Sequence, residues 1–84
     1  MRYAIERKDI MVKTIRLTQE DVQHFVAVTT KCDFDVDICY NRYVVDAKSL
    51  MGIFSLDLSR PINLVFHGEI SDKDYDLIKE FIVE

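Results

Sequence analysis

The sequence predicts a two-layer α+β domain, an open-faced β-sandwich with helices on one face of a mostly antiparallel four-stranded sheet, in the order βαββαβα. Three observations predict it. Segments with a two-residue hydrophobic period are interleaved with segments of period three to four. The dipeptide Asn41-Arg42 separates two strand-like runs and reads as a hairpin turn, which makes part of the sheet antiparallel. The run DFDVDICY, residues 33–40, sets Phe34, Val36, Ile38 and Tyr40 on one side and Asp33, Asp35, Asp37 and Cys39 on the other, so one sheet face is expected to be wet.

The elements follow in order. IMVKTIRL, residues 10–17, is rich in β-branched residues, carries Met11, Ile15 and Leu17 on one parity, and reads as a strand. Thr18 ends it and can cap a helix reaching to about Thr30, its hydroxyl accepting the Asp21 amide while the Asp21 carboxylate reaches back. Val22, Phe25, Val26 and Thr29 share one face of that helix, whereas Gln23, His24 and Ala27 lie off it. Beyond residues 33–40 and the turn, YVVDA, residues 43–47, returns as the second hairpin strand, although Asn-Arg is poorer than Asn-Gly at such a turn. A short helix is expected from Ser49 to about Leu56, then a strand over residues 62–67 opened by Pro61 and broken by Gly68. Ser71 repeats the cap chemistry, and Tyr75, Leu77, Ile78, Phe81 and Ile82 give the last helix an apolar stripe.

Length and charge narrow the function classes. Eighty-four residues, 49% hydrophobic and 31% charged, make one domain over residues 1–84 with a small core. Eleven Lys and Arg against 15 acidic residues leave a net charge of −4, which speaks against nucleic acid as a partner. No apolar run approaches the roughly 20 residues that cross a bilayer, and MRYAIERKDI mixes charges where a signal peptide is apolar, so a cytoplasmic protein away from membranes is expected. Cys32 and Cys39 lack the further ligands of a structural zinc site, and a disulfide between them is the weaker reading for a cytoplasmic chain. Asp33, Asp35 and Asp37 would stand about 6.8 Å apart along a strand, too far for all three to clasp one ion unaided, so they read as a solvated face. Neither metal nor cofactor is expected.

Lys48-Ser49-Leu50-Met51-Gly52 follows the hairpin and opens the short helix ahead of a further strand. The motif in that position, together with the order of elements over about residues 10–83, resembles the histidine-containing phosphocarrier (HPr) family of the bacterial sugar phosphotransferase system. Residues 1–9 extend beyond the usual start of that family. Its members carry phosphate on a histidine at the start of the first helix, two residues before an arginine that is usually followed by proline. Such chemistry needs an imidazole nucleophile beside a cation and free helix amides. Laying Phe25 on the corresponding family phenylalanine puts Thr18 at the histidine, Glu20 at the arginine and Asp21 at the proline. The two carboxylates stabilise the helix by about 0.3 to 1 kcal/mol each and would repel a phosphoryl group. No catalytic residue is therefore expected, nor an enzyme. His24 lies about 9 Å farther along the helix on its solvent side, and His67 reads as a polar strand end with no partner in sequence reach.

The retained serine is similar to that of the catabolite-repression HPr subgroup, which lacks the histidine. The resemblance implies regulatory phosphorylation at Ser49 with Lys48 as phosphate support, and partner docking through Leu50, Met51 and Phe54. An N-cap serine, worth about 1 kcal/mol over alanine, accounts for Ser49 without a kinase. Leu50, Met51 and Phe54 could equally complete the core or make a homodimer contact. The implied function is a regulatory or binding protein without histidine phosphoryl transfer, whose protein partners would be an HPr kinase/phosphorylase or a catabolite-control transcription regulator. The alternative is a structural or dimerisation domain of the same fold with neither phosphorylation site in use.

Overall fold

The computed structural model describes residues 11–83. The expected extension, residues 1–9, lies outside them. The chain runs through β1 (Met11–Ile15), α1 (Gln19–Thr29), β2 (Val36–Tyr40), β3 (Tyr43–Asp46), α2 (Leu50–Phe54), β4 (Ile62–Phe66) and α3 (Asp72–Ile78), with a 3-10 turn over Lys79–Phe81. The four strands form one sheet in the order β1-β4-β2-β3, and every neighbouring pair is antiparallel. The α+β open-faced architecture and the order of elements are those the sequence predicts. Among the described residues no helix is long and apolar enough to cross a membrane.

Strand alternation divides the sheet. Ile15, Val36, Ile38, Ile62, Leu64 and Phe66 enter a core closed on the other side by Val22, Phe25 and Val28 of α1, Ile53 of α2 and Ile78 of α3. Phe25 meets Phe81 edge-on, with ring centroids 5.7 Å apart. The wet face needs one correction. Val65 is buried on the side away from the helices, because β4 is central and its register sets Val12 on one flank and Asp37 on the other.

Other departures have local causes. Val28 is buried in α1 and Val26 only half so, since the stripe facing the sheet runs through residues 22, 25, 28 and 29. Thr29 belongs to that stripe because its hydroxyl donates to the Ala47 carbonyl at 2.8 Å. β2 begins at Val36, so Asp33 and Asp35 stand outside the sheet and the three aspartates form no row. Phe34 turns inward to lie against Gly68, and the His67 amide donates to the Asp35 carbonyl at 2.9 Å. The short helix ends at Phe54, because Ser55 caps it with hydrogen bonds to Gly52 and Ile53. Cys32 is packed in the core, and burial pushes its thiol up, with the Asp74 carboxylate adding to the shift. Cys39 alternates with Ile38 and belongs to the opposite side of β2.

The hairpin turn explains its own sequence. Asn41 alone among described non-glycine residues takes a positive φ, 55°, and Tyr40 pairs directly with Tyr43. A turn that asks for positive φ only at its first central residue accepts Asn there and leaves Arg42 unstrained.

Candidate functional site

Two helix starts and the groove beside them hold the residues singled out by sequence. Thr18 is extended and caps α1: its Oγ1 accepts from the Asp21 amide at 3.2 Å, and its own amide donates to Asp21 Oδ2 at 3.0 Å. This reciprocal box is the one the sequence predicts. It occupies the amides of Thr18 and Asp21 with protein groups. Glu20 is exposed in the same first turn. The start of α1 is thus closed by its own acids, and an incoming anion meets negative charge.

Ser49 caps α2 in the same manner, its Oγ accepting from the Gly52 amide at 3.1 Å. A Cβ at Gly52 would be tight against Ser49 Oγ, at 3.3 Å, and in ordinary contact with Val45 Cβ, at 3.5 Å, so glycine eases the fit of the cap beside β3. The Lys48 amide donates to Asp46 Oδ1 at 2.9 Å, but its ammonium reaches away, to the Cys32 carbonyl at 2.8 Å. Lys48 therefore ties α2 to the end of the α1 connection and does not rest on Ser49. The apolar residues of α2 separate, with Ile53 buried and Leu50, Met51 and Phe54 outside the core at 38%, 83% and 49% exposure.

A groove of about 750 Å³ runs from the start of α1 to the C-terminal end of α2, lined by Arg16 and Thr18 on one side, Phe54, Asp57 and Ser59 on the other, and Glu80. Arg16 is the residue that sequence reasoning missed. Ile15 and Leu17 are buried, which turns Arg16 outward, and its guanidinium donates to the Ser59 carbonyl at 2.8 Å. Asp57 accepts from Ser59 Oγ at 2.6 Å and from the Ser59 amide at 3.1 Å, an Asx turn readable from D-x-S. The groove thus offers a cation, two hydroxyls and two carboxylates beside an aromatic ring.

The Ser59 hydroxyl, then its amide, hold the Asp57 carboxyl below the usual carboxylate range. Stability from this turn is therefore present above the ordinary carboxylate pKa and is lost as pH falls through the lowered one. Ser59→Ala is expected to move the Asp57 titration upward, followed by carboxyl-carbon NMR. An unmoved titration would mean that the hydroxyl bond is not populated in solution.

The histidines lie elsewhere. His24 is exposed, 3.8 Å from Glu80 and beside the Phe81 ring at 6.2 Å between centroids, well removed from the start of α1. His67 has a carboxylate partner after all, with Nε2 2.9 Å from Asp37 Oδ2. The partners are 30 residues apart, and the β2–β4 register brings them together at the end of the sheet, beyond sequence reach.

No protein-family model matches the sequence, and no curated protein matches it. The chain is similar in structure to the crystal structure of a phosphocarrier protein HPr from Bacillus anthracis str. Ames, with a TM-score of 0.67 over 88% of this chain and 98% of that one. The fold is HPr-like. At 20% sequence identity the likeness is one of fold. In this chain Thr18 and Ser49 stand at two helix starts, and the chemistry available there is that of its own side chains.

Proposed function

We propose that this chain is a regulatory binding protein on an HPr-like fold, docking a protein partner through α2 and carrying no phosphate on a histidine. The observation that carries the reading is the state of α2: three of its five residues are Leu50, Met51 and Phe54, held apolar and exposed, and Phe54 shares a groove with Thr18. Clusters of that kind mark interaction surfaces, and methionine suits an adaptable one. Partners fitting the resemblance are an HPr kinase/phosphorylase or a catabolite-control transcription regulator. The closed start of α1, with Thr18, Glu20 and Asp21, supports the loss of histidine transfer, and with it a role without catalysis.

Ser49 stands immediately before the patch, so its phosphorylation would add about −1.5 to −2 charges at the rim of the docking face and alter what binds there. Lys48 would support that phosphate only after its ammonium leaves the Cys32 carbonyl. Incubation with an HPr kinase and ATP is expected to add a single phosphate, abolished by Ser49→Ala, while enzyme I and phosphoenolpyruvate add none. Acid-labile phosphate on His24 or His67 in the second reaction would overturn the reading. A structural or dimerisation domain predicts incorporation in neither.

A further inference from the structure

The two edges of the sheet are not alike. The outer side of β1 is closed by the chain itself at its C-terminal end: Ile15 bridges to Ile82, the Val83 amide donates to the Thr14 carbonyl at 3.0 Å, and the Arg16 amide to the Phe81 carbonyl at 2.8 Å. β3 forms the other edge, with no strand beyond it among the described residues. Its sequence YVVD holds neither lysine nor proline, the usual guards of an edge, and Tyr43 and Val44 are 61% and 41% exposed.

The ladder fixes which backbone groups look outward. Tyr40 and Tyr43 close a two-residue loop, so Tyr43 and Val45 turn their amides and carbonyls toward β2, while Val44 and Asp46 turn theirs away; the Asp46 carbonyl already accepts from the Ser49 amide at 3.0 Å, so the central outward pair is that of Val44. The Ala47 amide donating to the Val36 carbonyl at 2.8 Å continues the alternation.

We propose that β3 pairs antiparallel with β3 of a second copy of this chain, about a two-fold axis through Val44, joining two four-stranded sheets into one. Outward groups meet only when residues of even number face each other. Centred on Val44, the register sets Val44 against the partner's Val44, Tyr43 beside the partner's Val45 on the helix side, and Arg42 opposite the partner's Asp46 twice over. Arg42 has no ion-pair partner among the described residues, and Asp46 uses Oδ1 for the Lys48 amide, which leaves Oδ2 for a guanidinium. A register centred on Val45 would instead oppose Arg42 to the partner's Lys48 and Val44 to the partner's Asp46, a like-charge and a mismatched pair. One centred on Tyr43 would need Tyr40, already enclosed in its own hairpin, against Asp46. Charge complementarity thus selects one occupant and one register. The axis is perpendicular to the sheet, so both helix layers lie on one side and two copies of Met51 and Phe54 face the same way. This assembly goes beyond the docking reading and stands independently of it.

Sedimentation equilibrium of the full chain tests it, with circular dichroism confirming that each variant is folded. The wild type is expected to dimerise. Arg42→Asp or Asp46→Arg alone weakens the dimer about tenfold or more, and mixing the two variants restores it as a heterodimer, in which each charge meets its opposite. Val44→Pro removes the central outward amide and gives a monomer, a test that remains if Asp46→Arg fails to fold. Phe54→Glu leaves the dimer intact. A wild-type monomer at millimolar concentration, a dimer indifferent to Arg42→Asp, or one dissolved by Phe54→Glu would overturn the proposal.

Discussion

Phe25→Ala is expected to lower stability by about 3–5 kcal/mol, a large share of the roughly 4–13 kcal/mol that holds a domain of this length together. Phe25 is fully buried and its ring stands at 83° to that of Phe81, 5.7 Å between centroids. The contact joins α1 to the 3-10 turn after α3, and the Phe81 carbonyl in turn receives the Arg16 amide. A cavity here cannot be filled by a simple shift of one helix, because Val22 and Val28 fix α1 against the sheet on either side. Denaturant unfolding followed by circular dichroism measures the loss. A change below about 1 kcal/mol would show that the α1 contact collapses freely and that the groove lining, which depends on the same turn, is softer than its hydrogen bonds suggest.

Much of this architecture is legible because its signals are local. Asn41 between two alternating runs, Thr18 followed three residues later by Asp21, and Ser71 before an apolar stripe each specify their element within a few residues. DFDVDICY shows how far local pattern reaches. Phe34, Val36, Ile38 and Tyr40 all keep the core side it assigns them, but it does not show that β2 starts only at Val36, with the Asp35 carbonyl still bonded to the His67 amide, since that depends on the distant β4, which ends at Phe66. His67 with Asp37 and Arg16 with Ser59 are invisible for the same reason: each pair exists only once the strand order β1-β4-β2-β3 is set. Of the candidate site, the caps Thr18 and Ser49 follow from residue type and spacing, whereas spacing leaves open whether Leu50, Met51 and Phe54 join the core, and the packing of α2 on the sheet decides it. The direction of Lys48 does not, since a long side chain chooses among acceptors that only the folded chain supplies.

Gly68→Ala is expected to destabilise by about 1–3 kcal/mol through overpacking. Gly68 has no positive φ, so its requirement is space and not conformation. A Cβ there would strike Cγ of Phe34 and stand 2.6 Å from its Cδ2 and 2.8 Å from its Cβ. Those atoms belong to the root of the ring, which cannot swing aside without moving the backbone. The neighbouring Asp35 carbonyl holds the His67 amide at 2.9 Å, so a displaced Phe34 also disturbs the junction where His67 meets Asp37. The decisive measurement is a double-mutant cycle: with Phe34→Ala in place, Gly68→Ala should cost little or even stabilise by a few tenths of a kcal/mol, as reduced unfolded-state entropy then acts unopposed. Additive losses would assign the need for glycine to some contact other than the ring. Coupling of about 1 kcal/mol or more would establish that the Phe34 ring, on the core side its alternation assigns, is what requires glycine at Gly68.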